Sequence, residues 1–318
     1  MISIDEDDLA EVRRLNRKLA RSPRFHISNR LGAWFIQSLL RLSQIGGNAA
    51  LKRAGLTVET RVVTVDGASA SVRILRGQGP VNGIVLDIHG GGWAIGNARM
   101  DDVLNTALIK ACNVAVVSVD YRLAGATPLQ GLFDDCLAAA RWVLSDGLPE
   151  YQGLPVIILG ESAGGHLAAA TLLALKRWPD LLRRIAGAVL YYGVYDLAGT
   201  GSVRRAGPDV LVLDGPNMLK GLRKLTPGMT DAERRERSLS PLYGDLTGLP
   251  PAFMVVGEID PLLDDTVEMA ERWRAVNEVE LHLLPEAPHG FIHFKTSMAA
   301  KVLARSHAWI GSQLDRAR

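Results

Sequence analysis

One serine of this chain lies between two glycines, in the segment Gly160-Glu161-Ser162-Ala163-Gly164 that directly follows the apolar run 156–159. A strand that turns sharply into a helix leaves such a serine on strained backbone with its hydroxyl exposed, which favours a nucleophile. The residues up to 176 are rich in alanine and leucine and lack proline, so they predict a helix whose amino end favours negative charge. The alternative is a tight turn without chemistry, and the other candidate site residues decide between the two.

Attack by a hydroxyl on an ester carbonyl builds negative charge on the carbonyl oxygen, which needs hydrogen-bond donors. A second glycine-rich segment, His89-Gly90-Gly91-Gly92-Trp93, follows the apolar run 83–88. Consecutive glycines let backbone N–H groups converge on one small space, where each donor stabilises the transition state by about 3 kcal/mol. We expect the donors to be the amides of Gly91, Gly92 and Ala163. The alternative, a phosphate-binding loop, lacks both the GxxxxGK[ST] and the GxGxxG pattern.

A base must take the serine proton, and the chain has seven histidines. His289 is the candidate because it follows the last apolar strand and is next to a glycine that leaves its ring accessible. His293, in the same loop, is the rival and is expected to pack or to hydrogen-bond. His166 lies in the helix after the serine, and His89 is expected to orient the glycine loop. The others are predicted to be surface or packing residues: His26, His282 and His307.

An acid must orient the base and stabilise its charged form. Asp260 follows the apolar run 253–256 and is the candidate, with Glu258 as a weaker one. Asp264 and Asp265 fall inside the next predicted helix and are expected to point away. The order Ser162, Asp260, His289 is the chain order of the α/β-hydrolase arrangement.

The hydrophobic periodicity predicts the elements that position these residues. Two alternating strands are joined through Asp66-Gly67, a strong hairpin signal. Short apolar runs then alternate with helical stretches, which indicates a mostly parallel central sheet covered by helices on both faces. The predicted strands are 58–65, 71–75, 83–88, 114–119, 156–159, 188–192, 253–256 and 279–284, and the predicted helices that cover them are 101–110, 131–144, 163–176, 262–275 and 295–314.

Two further regions are predicted to be helical. Ser3 and Glu6 have capping-box spacing and predict the start of a first helix that ends before Pro23. A second apolar cluster, 34–45, predicts a helix that stops at the glycine pair 46–47.

The arginine- and lysine-rich segment 199–239 interrupts the alternation of strands and helices. We expect an insertion that covers Ser162 together with the amino-terminal helices, because long insertions at the functional edge of a sheet often shape pockets. The predicted domains are an amino-terminal helical cap (1–57), a catalytic domain (58–198 and 240–318) and a cap insertion (199–239). The alternative for the insertion is a set of solvated surface helices.

Composition excludes several classes of protein. The 318 residues are 47% hydrophobic and 22% charged, as is typical of a globular protein. A net charge of +2 gives no electrostatic reason to expect nucleic acid as a partner. Cys112 and Cys136 are predicted to be buried, reduced thiols, so no disulfide and no metal site are expected. The acidic amino terminus and the lack of a long apolar run predict no signal peptide, no membrane span and a cytoplasmic location.

Taken together, these motifs resemble the bacterial hormone-sensitive-lipase-like esterases, an α/β-hydrolase family with HGGGW, GDSAGG-type, DPL-type and HGF-type motifs. The segments are His89 to Trp93, Gly160 to Gly165, Asp260 to Leu262 and His289 to Phe291, and the similarity runs from about residue 58 to the end. The resemblance implies a Ser162, His289 and Asp260 triad, an oxyanion hole, a helical cap and, less specifically, an acetyl-esterase-like enzyme. Glu161 stands where the family usually has Asp.

The sequence therefore predicts a serine carboxylesterase that hydrolyses short-acyl esters, acetyl to hexanoyl, through an acyl-enzyme intermediate. No metal or cofactor is expected, and the partner is a small-molecule ester. The alternatives are a longer-chain lipase, amide hydrolysis by the same nucleophile, and a non-catalytic ligand-binding member of the family. A homodimer is the expected assembly because symmetric dimers are common.

Overall fold

The computed structural model describes residues 2–24 and 30–318. Within these residues, eight strands form one sheet in the order β1-β2-β4-β3-β5-β6-β7-β8. The strands are β1 (Thr57–Val65), β2 (Ala68–Arg76), β3 (Ile84–Ile88), β4 (Ala115–Asp120), β5 (Val156–Glu161), β6 (Ile185–Tyr191), β7 (Ala252–Gly257) and β8 (Val279–Leu284). The pairs β1–β2 and β2–β4 are antiparallel, and the remaining pairs are parallel. The predicted α/β-hydrolase architecture is confirmed.

The central strands are buried on both faces, which is why they appear in the sequence as continuous apolar runs. In β3, Leu86 and Ile88 belong to the hydrophobic core on one face, whereas Val85 belongs to the core on the other. Helices α5 (Leu129–Leu144), α6 (Ala163–Leu175) and α11 (Leu263–Arg274) contribute to the first core. Helices α1 (Glu6–Leu19), α4 (Asp102–Cys112) and α12 (Ser297–Arg316) contribute to the second. Cys112 and Cys136 are buried in these two cores.

The predicted hairpin is present, with Asp66 and Gly67 both at positive φ between β1 and β2.

The predicted start of the first helix is wrong. Asp5, not Ser3, is the N-cap of α1, and it exchanges hydrogen bonds with Asp8 in a capping box. Aspartate accepts from an N–H group as well as serine does, so the capping position depends on how α1 packs on α12.

The second predicted helix ends earlier than expected. Helix α2 (Arg30–Ser43) ends before the glycine pair, and a further helix, α3 (Gly47–Arg53), begins within it. Gly46 has positive φ and precedes α3, so this glycine separates two helices where the sequence predicted a single end. Leu51 of α3 is buried, and this packing supports a helix too short to be stable alone.

The segment 199–239 contains three short helices, α8 (Gly201–Arg205), α9 (Met218–Leu225) and α10 (Asp231–Arg234). Helix α7 (Pro179–Leu182) precedes β6, and short 3-10 helices cover 149–151, 215–217, 241–243 and 291–293. In the part of the chain that the structure describes, no helix combines the length and the apolar character needed to cross a bilayer.

Candidate active site

Ser162 occupies the turn between β5 and α6 with a φ of 52° and a ψ of −119°. Its N–H group donates to the Tyr191 carbonyl at 2.9 Å, and its own carbonyl accepts from Val194 N–H at 3.4 Å. A side chain at Gly164 would overlap the Ile88 carbonyl oxygen, so glycine is needed where α6 approaches β3. The strand, strained turn and helix expected from the sequence are therefore all present.

The sequence-predicted base and acid lie beside this serine. The Nε2 atom of His289 is 3.0 Å from Ser162 Oγ, and its Nδ1 atom is 2.8 Å from Asp260 Oδ2. A carboxylate only accepts hydrogen bonds, so Nδ1 carries the proton and Nε2 is left to accept from the serine. The other oxygen of Asp260 accepts from Leu262 N–H at 2.9 Å, which fixes the carboxylate. The Tyr192 ring meets the His289 ring edge-on, with centroids 4.8 Å apart.

The loop of residues 89–93, here called the oxyanion loop, approaches the serine from the end of β3. Gly91 has a φ of 104°, and a side chain there would overlap the Ile95 carbonyl oxygen. Gly92 lines the same pocket as Ser162. Ala163 is buried at the amino end of α6, directly after the serine. Gly92 and Ala163 thus lie beside Ser162, and the loop that contains Gly91 and Gly92 has a backbone shape that requires glycine.

Three hydrogen bonds hold the oxyanion loop in place. His89 Nδ1–H donates to the Gly90 carbonyl at 2.8 Å, and the hydroxyl of Tyr121 donates to the carbonyls of His89 and Gly90 at 2.8 and 3.2 Å. The rings of Tyr121 and His89 are stacked at 4.1 Å. The side chains of His89 and Tyr121 therefore both contact the backbone of this loop or each other. The sequence reasoning missed Tyr121, although its place directly after β4 is a usable signal, since ends of parallel strands meet at one edge of a sheet.

Trp93, the last residue of the oxyanion loop, is anchored by His166. The Trp93 indole N–H donates to His166 Nδ1 at 3.1 Å, and His166 Nε2–H donates to the Leu239 carbonyl at 2.7 Å. This pattern requires a neutral imidazole, and burial lowers the pKa of His166 to about 4. His166 thus connects the pocket wall to the end of the 199–239 segment.

Glu161, the residue before the serine, is buried and charged. Its Oε2 atom accepts from His293 Nε2 at 2.6 Å and from the Tyr192 hydroxyl at 2.7 Å. Burial alone would raise the pKa of Glu161, but the neighbouring His293 imidazolium and these hydrogen bonds lower it to about 2. The same carboxylate raises the pKa of His293.

Among the described residues, Asp101, Glu161 and His293 place possible metal ligands within 4.8 Å of one another. Two neighbouring ligands of one ion with bonds of about 2.1 Å would lie about 3 Å apart. The 2.6 Å separation of Glu161 and His293 is instead that of a charge-assisted hydrogen bond. We therefore interpret these two residues as an ion pair.

The structure separates the rival acids from the base. Glu258 is exposed. Asp264 pairs with Arg205 at 3.1 Å, and Asp265 accepts from the backbone N–H groups of Tyr195 and Asp196. Both aspartates therefore point away from His289, as expected.

The remaining described histidines do not contact Ser162. His293, the rival base, bonds to Glu161 as described above. His282 is buried and bonds to Glu280 at 2.7 Å, and His307 is half-buried on α12. His26 lies outside the described residues.

An apolar pocket of about 70 Å³ opens beside the serine. Its walls come from the oxyanion loop, from the loops after β6 and β7, and from the 199–239 segment; they are formed by Gly92, Trp93, Ser162, Val194, Leu213, Asp214, Asn217, Met218, Leu222 and Leu262. The sequence analysis did not identify most of these wall residues. The apolar spacing of Met218 and Leu222 on one face of α9 is the signal that could have found them.

Comparison with known proteins gives the family of the chain. A family model described as alpha/beta hydrolase fold matches residues 85–293. A carboxylesterase of Mycobacterium tuberculosis, NlhH, is 34% identical over 257 residues, which cover 75% of this chain and 76% of the relative. The chain belongs to the α/β-hydrolase fold family. A crystal structure of an esterase from the bacterial hormone-sensitive lipase family is 26% identical with a TM-score of 0.75, covering 98% of this chain and 100% of that one.

The esterases among the relatives decide the enzyme class. The chain is a carboxylic ester hydrolase of the hormone-sensitive-lipase-like branch, as the sequence motifs predicted. A third relative, named an acetyl-hydrolase, comes from Streptomyces hygroscopicus and is 32% identical over 205 residues, covering 64% of this chain and 65% of the relative.

Proposed function

We propose that this esterase hydrolyses short-acyl esters, acetyl to hexanoyl, through an acyl-enzyme intermediate on Ser162. One observation carries the proposal: Ser162 Oγ lies 3.0 Å from His289 Nε2 at the wall of a small apolar pocket. A nucleophile within hydrogen-bond reach of a base that a third group orients is the arrangement that activates serine.

The reaction follows from these contacts. Ser162 Oγ attacks the ester carbonyl while His289 Nε2 takes its proton, and Asp260 holds the proton on Nδ1 and stabilises the imidazolium. The imidazolium then protonates the leaving alcohol, which departs and leaves the acyl group on the serine. A water molecule next attacks the acyl carbonyl as His289 takes a proton from it, and the imidazolium then returns that proton to Ser162 Oγ as the carboxylic acid is released.

The amides of Gly91, Gly92 and Ala163 are the proposed oxyanion donors. Each donor stabilises the transition state by about 3 kcal/mol when it is aimed at the developing charge in advance. The hydrogen bonds from Tyr121 to the oxyanion loop support such an arrangement, because they hold the glycine backbone before substrate arrives.

Pocket size supports the short acyl chain. A cavity that binds benzene is about 150 Å³, whereas the pocket beside Ser162 is about 70 Å³. This space is far too small for a fatty-acid chain, so it favours the short end of the proposed acyl range. The name acetyl-hydrolase given to the Streptomyces relative is consistent with the proposal.

The cap is also part of the proposal. Residues 199–239 would cover the site, and the contributions of Leu213, Met218 and Leu222 to the pocket wall support this role. For residues 1–57, the support is that Gln37 of α2 exchanges two hydrogen bonds with Gly96, just beyond the oxyanion loop.

The test is hydrolysis of p-nitrophenyl esters from acetate to palmitate, with S162A as the control. We expect kcat/KM to peak between acetate and hexanoate and S162A to be inactive. A peak at long chains would show a lipase, and no hydrolysis by the folded protein would show a ligand-binding member of the family. The homodimer and the cytoplasmic location stay predictions, the first to be measured by light scattering and the second by cell fractionation.

A further inference from the structure

A single buried carboxylate touches three loops of the active site. Glu161 ends β5, is 4% exposed, and accepts hydrogen bonds from Tyr192 and His293. Its other oxygen, Oε1, is 3.0 Å from the position at which a side chain on Gly90 would begin. Glu161 therefore contacts the oxyanion loop, the loop after β6 and the loop that carries the base.

Both hydrogen-bond donors to Glu161 also contact the base. His293 N–H donates to the Gly290 carbonyl at 3.1 Å, in the short turn that directly follows His289. Tyr192 packs its ring against the His289 imidazole. A displacement of Glu161 would thus move His289 in two ways, through the chain that joins it to His293 and through its contact with the Tyr192 ring.

The charges near this cluster determine its net effect on the base. The pKa of Glu161 is lowered and that of His293 is raised by the other group, so both shifts favour the oppositely charged forms of the pair. The other titratable groups that face them are His89, Asp87, Asp101, Tyr192 and His289. Burial raises the pKa of Asp101 well above its usual range and that of Asp87 to about 6, lowers that of His89, and raises that of Tyr192.

We propose that Glu161 and His293 are positioning residues for ester hydrolysis, a partly buried ion pair that ties the nucleophile turn to the loop of His289 and adds no net charge to that of Asp260 beside the base. The inference rests on the proposed role of His289. Without His293, the Glu161 carboxylate would favour the protonated base and so reduce activity on the acid side of the pH profile. The partly exposed edge of His293, with 33% of its side chain accessible, lets its proton exchange with solvent.

The test compares the wild type with variants of His293 in the pH profile of kcat/KM for p-nitrophenyl acetate. The acid limb of this profile reports protonation of the essential base. H293Q keeps an N–H donor for Glu161 but removes the charge. We expect its acid limb to move up by about one pH unit, as expected for one uncompensated neighbouring charge. H293A also removes the donor, and we expect its kcat to fall about tenfold further, with KM changed less than threefold.

Two controls separate the charge effect from a loss of structure. The double variant E161Q/H293Q removes both charges and should return the acid limb to the wild-type position. H282Q breaks a second Glu–His pair, formed with Glu280 on β8, and should leave the acid limb unmoved. Melting temperatures show that each variant is folded.

The outcomes are distinct. An unmoved acid limb in folded H293Q, or an equal shift in H282Q, would overturn the inference while S162A stays inactive. Activity retained by S162A would instead overturn the proposed function itself, whatever the pH profiles show.

Discussion

The acyl-chain preference should respond to a single side chain at the pocket wall. Met218, at the start of α9, is partly buried and lines the pocket beside Ser162. M218A removes three heavy atoms, which leaves space for about two methylene groups of a longer acyl chain. Each buried methylene contributes about 0.8 kcal/mol, so two contribute about 1.6 kcal/mol. This free energy corresponds to about a 15-fold change in a ratio of kcat/KM values.

We therefore expect M218A to raise the ratio of kcat/KM for p-nitrophenyl hexanoate over acetate by about 10- to 15-fold. The matched control is L225A, which shortens another partly buried side chain of α9 that does not line the pocket. Melting temperatures report the general cost of losing core packing in both variants. An unchanged ratio in M218A, or an equal change in L225A, would refute the assignment of this pocket to the acyl group.

Three further predictions follow from single contacts. Y121F removes the hydroxyl that holds the oxyanion loop, and steady-state kinetics should show kcat about tenfold lower with KM nearly unchanged. An unchanged kcat with a raised KM would contradict this prediction. W93F leaves His166 Nδ1 without its donor, which should cost about 1–3 kcal/mol of unfolding free energy in urea titrations. Because Glu161 raises the pKa of His293, the stability from this pair is fully present below the ordinary histidine pKa of about 6.5 and is lost as the pH rises through the raised value. The difference in melting temperature between wild type and H293Q should therefore shrink from pH 6 to pH 9, and a constant difference would contradict the assignment.

Much of the fold could be predicted because a strand buried on both faces appears in the sequence as a continuous apolar run. The runs that became β3, β5 and β7 are apolar on both faces, and each is followed by a candidate site residue or motif. Parallel strands bring these ends together, so Ser162, Asp260 and the oxyanion loop could be placed at one edge before any coordinates were considered.

The missed features depend on tertiary contacts. Asp5 and Ser3 are both good N-caps, and only the packing of α1 selects one. Helix α3 is too short to be recognised without its buried Leu51. The Glu161–His293 contact joins residues 132 positions apart, and no local pattern marks it.

The central claim is that Ser162 is the nucleophile of this esterase, and covalent labelling tests it most directly. Diethyl p-nitrophenyl phosphate phosphorylates an activated serine, and peptide mass spectrometry locates the adduct. We predict one adduct per chain, on Ser162, formed in step with the loss of activity and absent from S162A. Inactivation with the adduct on another residue, or full labelling of Ser162 with activity retained, would contradict the claim.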